Sequence, residues 1–219
     1  MKIVTVDHMQ SIAKSADARG LSYDLMMHNA GKGTAGWVME NLDVRPGVIG
    51  LVGSGNNGGD TLIALTVLSM RGTRTLAFLA KDRGDDPLIS TYLDVGGQVV
   101  DISEQNHLEI LEAAILPGTL ILDGILGTGL RLPLRGALRE VMASIRETVK
   151  KRPGAFVVAV DCPSGMDCDT GAVSDVTLSA DHTLCMAAIK QGLLKHPGRS
   201  YAGQLHRVDI GVEELGQHL

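Results

Sequence analysis

Short apolar runs alternate along this chain with stretches of helical period, and that alternation sets the expected architecture. Val48 to Val52 is an apolar run that drops into a loop holding Gly53, Gly55, Gly58 and Gly59, and an amphipathic helix ended by Gly72 follows. The order then recurs. TLAFLA from Thr75 leads through the polar KDRGDDP to a helix from about Leu88 to Val95 and to QVVDI from Gln98. A helix over 104–116, TLILD after Pro117-Gly118, a helix over 134–151 and AFVVAVD continue the pattern, and HTLCMA from His182 and LHRVDI from Leu205 read as further strands. Two helices over 7–42 come before the first strand. The second carries Leu25, Met26, Ala30, Trp37, Val38 and Leu42 on an apolar face, with Gly31, Gly33, Ala35 and Gly36 permitting close packing. Near-continuous apolar strands imply a sheet covered on both faces. The expected fold is therefore α/β: a Rossmann-like, doubly wound three-layer domain over 1–219, with a mostly parallel sheet of seven or eight strands and ligands at the carboxyl ends of the strands.

Composition narrows the function classes. A 219-residue chain that is 44% hydrophobic sustains one substantial core, and a net charge of -5 supplies no basic footprint for nucleic acid. Cys162, Cys168 and Cys185 are odd in number and contain no CxxC, which signals neither a disulfide framework nor a zinc site. The start, MKIVTVDHMQ, lacks the apolar core of a signal peptide, and no later run reaches membrane-spanning length. The expectation is a soluble cytoplasmic protein.

The candidate chemistry collects around the glycine loop and two strand ends. Gly53-x-Gly55-x-x-Gly58 has the dinucleotide spacing, and the following helix offers a positive N-terminal end to an anion. Asn56, Asn57 and Asp60 set it apart from an ordinary pyrophosphate loop, and Gly59-Asp60 stand where a P-loop needs Lys and Ser or Thr. Asp123 and Asp161 each close an apolar strand before a loop of small residues. Gly127, Thr128, Gly129, Leu130, Arg131, Leu132 and Pro133 form a second glycine-containing cradle, whose Arg131 suits phosphate. Pro163 and Ser164-Gly165 turn the chain after Asp161, but Ser164 is not in a nucleophile elbow. A conventional NAD-dependent oxidoreductase would use Asp82 as its ribose-binding acid, and Asp60 within the loop argues against that reading.

These residues, together with MMHNAGKGTA, GSGNNGGDTLIA, DGILGTGLRLPLRG, VDCPSGMDCDTG and IKQGLLKHPGRSYAGQLHRVDIG, make the chain resemble the NAD(P)H-hydrate epimerase family, the YjeF N-terminal domain. The resemblance implies epimerisation of the R and S forms of hydrated NADH and NADPH, in partnership with a dehydratase that is sometimes fused in a longer chain, and a homodimer. It places Asn56, Asn57, Gly58, Gly59, Asp60, the 127–133 loop and Asp161 on the nucleotide hydrate, with Asp161 as the acid/base. It places a potassium ion between Asn57, Asp123 and Ser164. The alternative is a non-catalytic scaffold of the same fold, whose known examples have eroded motifs, whereas here the motifs are whole. His28 in place of the family's glutamate and Cys162 in place of its aliphatic residue are departures that remove no proposed ligand.

Overall fold

The computed structural model describes residues 2–130 and 132–212. In chain order, the elements are β1 (Ile3–Val4), α1 (Val6–Asp17), α2 (Tyr23–Asn41), β2 (Val48–Val52), α3 (Asn56–Met70), β3 (Thr75–Leu79), α4 (Pro87–Asp94), β4 (Gln98–Asp101), α5 (His107–Ala114), β5 (Leu120–Gly124), α6 (Gly136–Lys150), β6 (Phe156–Val160), β7 (His182–Met186), β8 (Ile189–Lys190) and β9 (Gln204–Val208). Helix starts are fixed by local chemistry. The Thr5 hydroxyl accepts from the His8 N–H, Ser22 Oγ from Leu25 N–H, and Asp86 Oδ1 from Leu88 N–H with Pro87 at the first helical position. No helix among the described residues is long and apolar enough to cross a membrane.

Seven strands form one sheet in the order β4-β3-β2-β5-β6-β7-β9, and every pairing in it is parallel. Strand alternation divides the core between two faces. Val48, Val52, Leu120, Leu122, Val158 and Val160 meet residues of α1 to α4, whereas Ile49, Leu51, Ile121 and Val157 meet Leu111 of α5, Ile115 just after it, and Met142, Ile145 and Val149 of α6. Both faces are therefore apolar, which is why the strands read as continuous hydrophobic runs rather than alternating ones. Connections run outward from β2 through β3 to β4, and then in the other direction from β5 through β6 to β7. The reversal lies between β2 and β5, the position at which such sheets open a crevice.

The pairing of β1 with β8 was not anticipated, because two-residue strands carry no readable period. Val4 sits opposite Lys190 and Ile3 opposite Ile189 in this small parallel sheet. The expected apolar face of α2 also needs one correction. Met26, Ala30 and Val38 are buried, but Leu25 is 48% exposed, because the helix buries its 26-30-34-38 stripe and Leu25 lies off it.

The small residues of α2 do two different things. A Cβ at Gly31 would stand 2.5 Å from Ile63 Cβ and 2.7 Å from the Asp60 carbonyl oxygen, so α2 and α3 touch there, whereas a Cβ at Gly36 meets nothing within 4 Å. Gly36→Ala should therefore raise stability by up to about 1 kcal/mol through helix propensity. Gly31→Ala should lower it by about 1–3 kcal/mol, since overpacking exceeds the same propensity gain. Urea midpoints of the two variants check this, and a stabilised Gly31→Ala protein would contradict the packing described.

Candidate active site

A cleft of about 720 Å³ opens at the carboxyl ends of the strands, between the start of α3, the loop after β5, the tip of β6 and the faces of α1 and α2. Its walls include Met9, Tyr23 and Met27 on the helical side and Asn56, Asn57, Asp60, Thr128 and Asp161 on the sheet side.

The glycine loop is held by backbone contacts that no side chain would permit. A Cβ at Gly53 would lie 1.8 Å from the Ile125 carbonyl oxygen, and one at Gly58 would lie 1.9 Å from that of Gly53. Behind the loop, the Arg83 guanidinium donates to the Gly53 carbonyl and, at 3.2 Å, to that of Gly55, while Asp86 fixes it through a 2.7 Å bond from Nε. Loop carbonyls are thus occupied from behind. The first-turn N–H groups of α3, where Ser54, Gly55, Asn56 and Asn57 line the cleft, are left for an anionic ligand.

Asp161 follows β6 with a positive φ of 65°, a strained setting for a residue with a side chain, and it is one that recurs at functional sites. Its N–H donates to the Leu184 carbonyl at 2.8 Å, which ties the turn to β7. Oδ1 accepts from the Met186 N–H at 3.0 Å and from Lys190 Nζ, and the same ammonium donates to the Met186 carbonyl at 2.8 Å. The Lys190 side chain is 1% exposed and that of Asp161 14%. Burial pulls the ammonium toward neutrality, but the charge and hydrogen bond of Asp161 outweigh it and hold Lys190 above its ordinary value. Lys190 had no role in the sequence reading. The signal was present as a single charged residue closing the apolar stretch HTLCMAAI, with nothing in its spacing to identify a partner.

Asp60 lines the same cleft in a different state. It is 8% exposed, and its side chain makes no hydrogen bond or ion pair among the described residues. Burial, and secondly the charge of Asp161, push its carboxyl well above the ordinary range, with Lys190 offsetting part of the effect.

Beneath the cleft floor, Asp123 is 1% exposed. Its Oδ2 accepts from the Ser164 N–H at 2.8 Å and its Oδ1 from the Ser164 hydroxyl at 2.5 Å. Burial raises this carboxyl, and the two Ser164 hydrogen bonds counter part of the rise. The Leu126 N–H donates to Ser164 Oγ at 2.9 Å, and Asn57 Nδ2 donates to the Leu126 carbonyl at 3.0 Å. That last bond fixes the amide's orientation and leaves Asn57 Oδ1 buried with no partner. Asn57, Asp123 and Ser164, from three separate strand ends, therefore meet through the Leu126 backbone.

Of the residues singled out in the sequence, Asn56, Asn57, Asp60, Gly127, Thr128, Gly129, Leu130 and Asp161 line the cleft. Gly58 and Gly59 do not. Gly58 packs on Gly53, and a Cβ at Gly59 would meet Met27 Sδ at 2.6 Å, so both serve the packing of α3. Leu132 packs on the core cluster under α6, Pro133 is exposed away from the lining, and Arg131 lies outside the described residues. Asp82 accepts from Gly84 N–H at 2.8 Å in its own exposed turn and takes no part in the cleft. His28 is exposed on α2, with its ring nitrogen 3.0 Å from the Asp24 carbonyl, and Cys162 is fully buried.

The all-parallel, doubly wound sheet with its crevice at the strand-order reversal is that of a Rossmann-like α/β protein. A profile of the family described as YjeF-related protein N-terminus matches residues 23–192, and the chain belongs to that family. It is similar to the NAD(P)H-hydrate epimerase of Rhodopirellula baltica, with 36% identity over 86% of this chain and 75% of the relative. It is also similar to the bifunctional NAD(P)H-hydrate repair enzyme Nnr of Thermofilum pendens, with 31% identity over 94% of this chain but only 39% of that longer protein. Among solved structures, that of yeast ynu0 shares the fold, with a TM-score of 0.76 at 22% identity, covering 94% of this chain and 87% of the yeast chain.

The raised carboxyl of Asp60 has a consequence for stability. Above the unfolded value of about 4 the unfolded chain releases a proton that the folded protein retains, so Asp60 lowers stability progressively as pH rises toward its folded value. Asp60→Asn, which breaks no hydrogen bond, should match the wild type near pH 4 and exceed it at neutral pH. Urea titrations at several pH values check this, and a constant difference across them would contradict the burial argument.

Proposed function

We propose that this protein interconverts the R and S forms of hydrated NADH and NADPH, so that a separate dehydratase acting on one form can recover both. Support comes from the epimerase relatives that align along most of the chain and from one feature of the cleft. That feature is a strand-tip carboxylate whose Oδ1 is pinned by Lys190 and the Met186 N–H, in a cleft that also presents a helix N-terminus. The epimerised carbon bears a hydroxyl and the ring nitrogen, and its configuration is lost by expelling hydroxide or opening the ring. Either route moves a proton. Asp161, kept from drifting by its two donors, is the acid/base that moves it, and the first turn of α3 with the 127–130 loop holds the nucleotide.

Potassium fits the donors beneath the floor. Asn57 Oδ1 is buried and unpartnered, and Asp123 is a buried carboxylate with no cationic partner among the described residues, so a hard monovalent cation answers both. Asn57, Asp123 and Ser164 would hold it, and it would supply charge neutralisation beside the ligand's phosphates. A crystal soaked in a rubidium salt should give an anomalous peak among these three residues. A soaked crystal without that peak removes the ion from the assignment.

The function itself is tested by supplying R hydrate together with an S-specific dehydratase and following recovery of the reduced-cofactor absorbance. Added protein should make the R form available, and folded protein that leaves it untouched defeats the reading. Asp161→Asn should reduce turnover by roughly 10²-fold or more while hydrate affinity changes little. Near-normal turnover at saturating substrate would take Asp161 out of the chemistry.

A further inference from the structure

Asp60 is the carboxyl group of the cleft that the reading above leaves without chemistry. It is more than nine-tenths buried, lines the cleft beside Asp161, and has a side chain with no hydrogen-bond or ion-pair partner among the described residues. A residue whose only task was to bracket the ends of α3 would carry its carboxylate toward an N–H group or into water. This one has no N–H donor among the described residues and lies in the cleft wall, where a ligand would replace water. The titratable groups that share the cleft with it are few: Asp161 from the β6 tip, Lys190 of β8 already donating to Asp161 and Met186, and Tyr23 and Asp24 of α2 on the exposed rim. Arg83, behind the glycine loop, is spoken for by Asp86 and two loop carbonyls.

An inversion at a carbon that loses and regains hydroxyl needs a proton donor for the departing group and a proton acceptor for the arriving water. We infer that Asp60 is a second catalytic carboxyl, working with Asp161 as an acid and base pair on the hydrated nicotinamide. This inference rests on the epimerase reading above. In the R to S direction the ring-nitrogen lone pair forms a C=N bond as the carbon–oxygen bond breaks, and the Asp60 carboxylic acid gives its proton to the departing hydroxyl, which leaves as water. A water then adds to the other face of that carbon, the C=N electron pair returns to nitrogen, and the water's proton passes to the Asp161 carboxylate. One proton has moved from Asp60 to Asp161, and exchange with solvent resets the pair. In the S to R direction the two roles exchange.

The environments of the two groups suit the division. Asp161 Oδ1 accepts from Lys190 and the Met186 N–H, while burial and the neighbouring charge of Asp161 favour a protonated Asp60. One carboxyl group held by two donors and another held by none, in the same cleft, is an arrangement that suits unlike proton roles. Both can also face the cationic ring that forms between the two steps, which an uncharged pair would not favour.

The test uses the whole chain, as wild type, Asp60→Asn and Asp60→Glu, with R hydrate, a coupling dehydratase and direct measurement of hydrate binding. Wild type should lose kcat/KM as pH rises through the Asp60 value, because the free enzyme must hold that proton. Asp60→Asn should lower kcat by roughly 10²-fold with KM little changed, and should lose that alkaline limb, while Asp60→Glu restores part of both. In heavy-oxygen water, each inversion by wild type should introduce one solvent oxygen. An Asp60→Asn protein with near-normal kcat and a raised KM, an unchanged alkaline limb, or inversion without solvent oxygen overturns the assignment while leaving the epimerase reading intact. Wild-type protein inactive on R hydrate overturns both.

Discussion

Three carboxyl groups gather around one crevice, two of them buried and one partly so, and a single buried ammonium pairs with only one of them. Asp161 takes Lys190, Asp123 takes two hydrogen bonds from Ser164, and Asp60 has no partner among the described residues. A desolvated charge without a partner costs more than almost any packing defect a domain of this size can absorb, which is why Asp60 favours its protonated form. The surroundings must therefore be rigid enough to keep these groups from relaxing into solvent. The tight loop contacts of Gly53 and Gly58, the Arg83 brace and the strained turn at Asp161 are that rigidity. The parallel sheet contributes by bringing β2, β5 and β6 to one edge in register.

The layering and the seven parallel strands were legible because a sheet buried on both faces writes itself as unbroken apolar runs, as in TLAFL and FVVAV. Strand-tip aspartates were legible for the same reason, since each ends such a run. Other features left no comparable mark. Whether a glycine's missing Cβ makes room for a ligand or for protein is invisible in its spacing; at Gly58 and Gly59 it makes room for Gly53 and Met27. Lys190 carries no spacing relation to Asp161, from which it is separated by 29 positions, and only the return of the chain through β7 into β8 unites them. Leu25 was placed on the apolar face by helical periodicity, yet the packing stripe passes beside it.

The beginning of the chain closes the structure in a way that helical bookkeeping does not reveal. Val4 pairs with Lys190, the Ile189 N–H donates to the Lys2 carbonyl at 3.0 Å, and Val6 N–H donates to Asp169 Oδ1 at 2.9 Å, while Met9 and Gln10 of α1 reach the cleft wall. The first few residues act as a latch over the strand that presents the ammonium. A substitution at Ile3 or Val4 therefore acts on the same short sheet that carries the charge orienting Asp161, although neither residue touches the cleft.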